Sequence, residues 1–219
     1  MNDRYVSPAE CASSNRKLVL ASTSLYRKQL LDRLGLACIV SDPRVDETVF
    51  KQRGSSPRDL TLALAEAKAS AVAAKYSRDA IVIGCDQCVS IDDQILGKPG
   101  SVDRAFEQLR MLSGRIHTLV TALCVIDTVS QHRATEIDVH ELTMRVLSDD
   151  QIRVYVDVDR PLDCAGSYKF ESLGIALFER ASEGDTTAIV GLPIMRLTSM
   201  LADVGYDVLS EVAAYRQLG

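Results

Sequence analysis

The sequence predicts an α/β protein built on a mixed central sheet flanked by helices. Three observations carry that class. Apolar, β-rich runs such as KLVLAS and AIVIGCDQCVSI recur along the chain. Between them lie longer segments with helical periodicity and helix-cap residues. Two further β-rich runs, RIHTLVTALCVIDT and HRATEIDVHELTMRVL, follow one another with only a turn between them. Adjacent strands of that kind break a strict βαβ alternation, so the expected sheet is mixed in strand direction.

In order, KLVLAS (17–22) is a short strand, STS offers cap residues, and LYRKQLLDRLG reads as an amphipathic helix closed by Gly35. ACIVSD (37–42) is a second strand, and residues 43–56 are polar and irregular. Ser56 and Pro57 form a cap and first-turn pair that opens an Ala-rich helix running to Tyr76. Residues 80–91 are a third β-rich run, followed by DDQILGKPGS as a hairpin-like turn and loop. SVDRAFEQLRMLSG is another helix with a glycine stop. The two long strands come next. Thr135, Ile137, Val139 and Leu142 do not alternate perfectly, which suggests a bulge in the second of them. SDDQIRVYVDV is a capped helix, DCAGSYKFESLGIALFERASEG mixes glycine turns with a strand, and a helix starting near Pro193 ends the fold. Residues 1–16 read as a flexible N-terminal extension and 17–219 as one domain.

The chain has 219 residues, 47% of them hydrophobic, which is enough for one sizeable core. Its formal charge of -5 argues against a general nucleic-acid binder while leaving room for a local basic pocket. No apolar run approaches the roughly 20 residues that span a bilayer, and the first residues lack an apolar signal region. A cytoplasmic protein that needs no membrane is the expectation. The six cysteines are mostly scattered in apolar contexts and read as reduced, buried residues. The three histidines form no metal-ligand spacing.

Cys85-Asp86-Gln87-Cys88 is formally a C-x-x-C, but it lies inside a β-rich run. Side chains alternate along a strand, so residues 85 and 88 point to opposite faces. Redox pairs sit at helix N-termini and zinc pairs on tight turns, and no second C-x-x-C completes a zinc site. The anomaly is Asp86, because a carboxylate within an apolar strand needs a partner, either a metal or local donors. In LASTSLYRKQLL a strand runs into a Ser/Thr loop that opens a helix, the geometry of an anion site or of an ordinary N-cap. Ser22 and Arg27 are placed to contact such an anion. Lys98 is held in a Gly-Lys-Pro turn, Lys68 sits among small apolar residues, and Glu47 follows Asp46 in a loop. Together they supply acids for a divalent metal and bases for phosphates.

The blocks LVLASTSLYRKQLLDRLGL, VDET, LAEAKA, VIGCDQ, LGKP, LSGRIHT, DCAGSYKFESLGIALFER and VGLP, in this order from about residue 17 to 201, resemble the Maf family of septum-formation-protein-like nucleotide pyrophosphatases. The resemblance implies a fold like that of inosine-triphosphate pyrophosphatases. It implies hydrolysis of a nucleoside triphosphate to monophosphate and diphosphate with a divalent cation, Mg²⁺ or Mn²⁺; separately, a homodimer is a candidate assembly. Asp86 matches the family's catalytic aspartate, and Ser22, Arg27, Glu47, Lys68 and Lys98 fall on its other polar site positions. The expectation is that Asp86 and Glu47 bind the metal and that Ser22, Arg27, Lys68 and Lys98 bind phosphate.

Asp86-Gln87 and AGSYKFESLGIALFER resemble the 7-methyl-GTP branch, and not the dTTP/UTP branch with its D-T. By this resemblance Tyr26, Gln87 and Glu171 occupy the positions that set substrate specificity. Tyr26 would stack on the cationic base and Glu171 would accept from guanine N–H groups. Lys169 is a further candidate for the phosphates. The chain departs from the branch at Ser24-Leu25-Tyr26-Arg27, where S-P-W-R is usual, at Cys85, where Ser is commoner, and at Thr121-Ala122, where Thr-Gly is usual. The alternatives are a dTTP/UTP pyrophosphatase of the same family and a nucleotide-binding cell-division regulator with negligible turnover.

Overall fold

The computed structural model describes residues 16–51, 55–76, 78–92 and 94–217. In chain order the elements are β1 (Lys17–Ala21), α1 (Leu25–Asp32), β2 (Cys38–Val40), α2 (Glu47–Lys51), α3 (Pro57–Ala73), β3 (Ala80–Ile91), β4 (Gln94–Leu96), α4 (Val102–Leu112), β5 (Ile116–Asp127), β6 (Arg133–Met144), α5 (Asp149–Asp159), β7 (Phe178–Ala181), α6 (Thr187–Val190), α7 (Ile194–Asp203) and α8 (Val208–Gln217). One seven-stranded sheet runs in the order β2-β1-β3-β5-β6-β7, with β4 pairing β3 outside that path. β1 is parallel to β2 and β3, and the other pairings are antiparallel. The sheet is mixed, as the adjacent long strands predict.

Burial explains the order. β3 is buried at every position but Gln87, and β5 at all but the first and third, so both are covered on two faces and lie centrally. β6 alternates and sits nearer the edge. Along one half of β3, the face carrying Ile81, Ile83 and Cys85 packs on Leu30 and Leu31 of α1, Leu197 and Leu201 of α7, and Val208 of α8. The opposite face takes α3 through Ala65, Ala69 and Val72. Beyond Cys88, Val89 and Ile91 enter a second core with Leu109 and Leu112 of α4 and Ile152 and Tyr155 of α5. β3 and β5 therefore run through both cores.

Gly84 decides how close α3 comes. A Cβ there would lie 2.2 Å from the Ala65 carbonyl oxygen and 2.8 Å from Ala69 N. The missing side chain lets the helix backbone sit directly on the strand. The caps follow the sequence: Ser24, Ser56, Ser101 and Ser148 each accept from a first-turn amide, and Ser148 forms a full capping box with Gln151.

Of four further details, three differ from expectation and the hairpin after β3 agrees with it. The stretch 43–56 contains the short helix α2, opened by Asp46, whose carboxylate accepts from Thr48 N at 3.0 Å. The turn after β3 is a hairpin whose second arm, β4, pairs through Val89, Ser90 and Ile91. The β5–β6 register is unbroken from Ile116↔Thr143 to Ile126↔Arg133, and the irregularity lies between β6 and β7 at Thr143/Met144. A last helix, α8, follows the one near Pro193 and covers the first core with Val208 and Val212. The extension expected over residues 1–16 lies outside the described residues except for Arg16, which donates to Asp127 Oδ2 at 3.0 Å and to the Val204 carbonyl at 2.9 Å.

Candidate active site

β1 ends with Ala21 opposite Gly84, and β4 begins to pair with β3 only at Val89. Residues 85–88 therefore have no strand beside them on that edge, while β5 backs them on the other. The Ser22–Ser24 loop leaves β1 at this gap and opens α1. Alternation then sorts the four side chains. Cys85 donates its thiol to the Gly191 carbonyl at 3.1 Å, and Gln87 faces α6 on the same side. Asp86 and Cys88 face α3, where Cys88 lies 3.8 Å from the Pro57 carbonyl. The two thiols are on opposite faces and act as packing residues. Among the described residues the five cysteines at 38, 85, 88, 124 and 164 are free.

On the α3 side, Lys68 Nζ lies 2.5 Å from Asp86 Oδ1 and 2.8 Å from Glu47 Oε1. Lys68 and Asp86 are each 8% exposed. Lys51 adds a second ammonium to Glu47 at 3.2 Å. Burial opposes the Glu47 charge, but the bonds to Lys68 and Lys51 prevail and hold its carboxyl at about 2. Burial also works against the Lys68 ammonium, and the two carboxylates outweigh it, so its pKa is raised. Asp86 is pushed above the ordinary carboxylate range by burial, against the opposing pull of Lys68 and Arg27. A carboxylate with a raised pKa is the stronger base.

On the other side lies a cleft of about 250 Å³. Its polar wall carries Tyr26, Arg27, Gln87, Lys98, Asp163 and Glu171, and its apolar wall includes Leu119, Tyr168, Phe170 and Ile189. Arg27 joins the two sides: Nε donates to the Gly191 carbonyl at 2.9 Å, Nη1 to Ser22 Oγ at 3.3 Å, and its charge acts on Asp86. Burial raises the Tyr26 hydroxyl, with Cys164 as its next influence. Partial burial at the rim raises the Glu171 carboxyl, and Asp159 and Asp163 add to this. The loop carrying Glu171 is folded tightly, because a Cβ at Gly174 would lie 2.3 Å from the Lys169 carbonyl oxygen.

The structure thus brings Tyr26, Gln87, Lys98 and Glu171 into one cleft and Glu47, Lys68 and Asp86 into one charge cluster, with Ser22 and Arg27 between. Lys68, expected on phosphate, is held here by carboxylates. Lys169 donates to the Asp159 carbonyl at 2.8 Å and lies 6.0 Å from the Tyr26 ring centroid. Sequence reasoning did not single out Asp163, or the Gly191 carbonyl that organises Arg27 and Cys85. Both lie inside the quoted blocks DCAG and VGLP, which was the available signal.

Among the described residues no three His, Cys, Asp or Glu are grouped to hold a metal. Asp86 and Glu47 nonetheless share one cation already, the Lys68 ammonium. Mg²⁺ is commonly bound through one or two carboxylates plus substrate phosphates. The pair fits an ion that arrives with a nucleotide, and does not fit a self-sufficient protein cage.

The family profile described as Maf-like protein matches residues 17–204. The chain belongs to the Maf family. Similar curated relatives carry the name 7-methyl-GTP pyrophosphatase. One from Bordetella pertussis is 47% identical over 194 residues, covering 89% of this chain and 95% of the relative. One from Cupriavidus pinatubonensis is 44% identical over 191 residues, 87% and 94%. One from Nitrosococcus oceani is 44% identical over 192 residues, 88% and 95%. The Maf match takes in the whole cleft and charge cluster, from Ser22 to Gly191, and ends before α8.

Proposed function

We propose that this chain is a nucleoside triphosphate pyrophosphatase that hydrolyses 7-methyl-GTP to 7-methyl-GMP and diphosphate. One observation carries the reading. Asp86 and Gln87, neighbours on β3, face a Lys68–Glu47 charge cluster on one side and the cleft of Tyr26 and Glu171 on the other. The similarity to relatives of that name supports the choice of base. Clearing modified nucleotides belongs where nucleotide pools are, so the reading includes the cytoplasm. No helix among the described residues is long and apolar enough to cross a membrane.

In this reaction a water attacks the α-phosphorus and diphosphate leaves. Asp86 takes the proton of that water, helped by its raised pKa. Arg27, fixed by Ser22 and the Gly191 carbonyl, and Lys98 on its turn offset phosphate charge, increasingly so on the leaving diphosphate. Lys68 keeps Asp86 and Glu47 together and counters their mutual repulsion. Asp86 and Glu47 would hold a divalent cation, Mg²⁺ or Mn²⁺, which supplies neutralisation of the phosphates when bound. Tyr26 stacks on the positively charged 7-methylguanine, an interaction of roughly 0.5–2 kcal/mol. Glu171 accepts from the base's exocyclic amino group.

The test is diphosphate release from a panel of triphosphates with Mg²⁺ and with Mn²⁺. The highest kcat/KM is expected for 7-methyl-GTP. Preference for dTTP or UTP would move the chain to the other branch, and tight binding with negligible turnover would make it a nucleotide-binding regulator.

A further inference from the structure

Both amide hydrogens of Gln87 are committed inside the protein. Nε2 lies 2.9 Å from Thr121 Oγ1 and 2.7 Å from the Ala188 carbonyl oxygen. A carbonyl only accepts, so the amide atom facing it is the nitrogen. Thr121 imposes the same orientation independently. Its single hydroxyl hydrogen goes to the Ala188 carbonyl at 3.3 Å, so toward Gln87 it accepts. Thr121 is 1% exposed and stands directly opposite Gln87 in the β3–β5 register. Turning the amide over would set Oε1 against a carbonyl oxygen and a hydroxyl lone pair and lose both bonds. Oε1 is thereby left toward the cleft, which Gln87 lines beside Tyr26, Arg27 and Glu171, and no donor among the described residues reaches it.

We propose that Gln87 meets the nucleotide solely as a hydrogen-bond acceptor, locked in that role by Thr121 and the Ala188 carbonyl, so that the cleft takes a base turning a ring N–H toward it. This rests on the pyrophosphatase reading of the site. Guanine qualifies through N1–H, and methylation at N7 draws charge from the ring and makes that hydrogen a better donor. Thymine and uracil qualify through N3–H. Adenine and cytosine present a ring acceptor in the corresponding place, and acceptor against acceptor leaves both unpaired and desolvated. Thr121 is a positioning residue, since it acts on the nucleotide through Gln87.

The experiment uses the full chain and the triphosphate that wild type cuts best. In Gln87→Glu a carboxylate oxygen replaces Nε2 against the Ala188 carbonyl and is repelled. Gln87→Glu is therefore expected to raise KM about tenfold at neutral pH. Thr121→Val leaves one amide hydrogen unpaired and should raise KM about 2- to 10-fold with kcat little changed, and Thr121→Ser should restore it.

An unchanged KM in Gln87→Glu, a Thr121→Val effect confined to kcat, or wild-type cleavage of ATP or CTP as fast as the best substrate would overturn the proposal. A preference for dTTP or UTP overturns the 7-methyl-GTP reading and leaves this inference standing. If wild type releases no diphosphate, the pyrophosphatase reading falls. The same variants are then compared by dissociation constants for GTP and ATP, where equal affinity overturns the inference.

Discussion

Asp86→Asn separates chemistry from folding at this site. The amide keeps the shape of the carboxylate, and its oxygen stays within reach of Lys68 Nζ, which now lies 2.5 Å from Asp86 Oδ1. Breaking a buried ion pair costs about 3–5 kcal/mol when it strands a charge. Here Lys68 is not stranded, because Glu47 Oε1 remains 2.8 Å away, and the variant no longer buries a second carboxylate. The net cost should be about 1 kcal/mol or less, a Tm change within about 4 °C for a chain of this size. Catalysis should suffer far more. A general base contributes about 10²- to 10⁴-fold, or roughly 3–5 kcal/mol of barrier. The assay is diphosphate release from 7-methyl-GTP with Mg²⁺, run beside a thermal melt. The expected result is a loss of at least about 100-fold in kcat with a near-normal melt. Near-wild-type release would refute the role of Asp86.

Lys68→Met is the counterpart. It leaves Asp86 and Glu47 facing each other without the shared ammonium. The cost should be about 3–5 kcal/mol, roughly 6–20 °C in Tm. The sign of its pH dependence also follows. Without Lys68 the Asp86 carboxyl is pushed further up, so the folded chain holds its proton more tightly than the unfolded one. Stability then falls as pH rises from the ordinary value of 3.8 through the raised one. An unchanged melt at neutral pH would show that the ammonium is not what keeps these carboxylates together.

Gly84→Ala would drive a methyl to 2.2 Å from the Ala65 carbonyl oxygen, so it should cost about 3 kcal/mol and lower kcat by moving Lys68 off Asp86, read by melt and turnover together. His117 is buried, bonded to the Tyr168 hydroxyl at 3.2 Å, and held neutral by burial with its pKa at about 4 against 6.5 in the unfolded chain. The unfolded chain takes the proton that the folded one refuses, so stability falls as pH drops from 6.5 toward 4. Wild type should lose about 2 kcal/mol between pH 7 and about 5 in urea denaturation, and His117→Phe should lose less by that amount. Tyr26→Trp offers a larger face to a cationic base and should lower KM for 7-methyl-GTP about 2- to 5-fold, with GTP less affected in the same assay.

Much of the fold was legible because its signals are local. The run 80–91 coincides with β3, and Ser24, Ser56, Ser101 and Ser148 cap where they stand. α2 was not legible: it has five residues, none of them buried, and its Glu47 is tied by Lys68 from another helix. α8 carried a usable signal in Asp207, whose carboxylate accepts from Ser210 N at 2.7 Å, but its apolar residues are spread around the helix and form no clear stripe. The candidate site divides in the same way. Residue types and order marked the individual side chains. The pairings Lys68–Asp86, Arg27–Gly191 and Gln87–Thr121 depend on helix packing and strand register, which no short stretch of sequence encodes.

Strand geometry itself ties chemistry to recognition. Asp86 and Gln87 are adjacent, so a period of two sends one toward α3 and the other toward the cleft. A slip of one residue in β3 would exchange them and swap the side chains packed on α1 and α7 with those packed on α3. Two features exclude that slip. The ladder to β5 is continuous from Ile81↔Asp127 to Ser90↔Thr118, and only the glycine at 84 fits beneath the Ala65–Ala69 backbone. On the proposed reading, the open edge at 85–88, between the end of β1 and the start of β4, is where a nucleotide would meet both side chains. The register that fixes Thr121 against Gln87 is the same register that fixes Asp86 beneath Lys68. Substitutions that loosen β3 should therefore damage base selectivity and turnover together, whereas those confined to Thr121 should leave turnover largely intact.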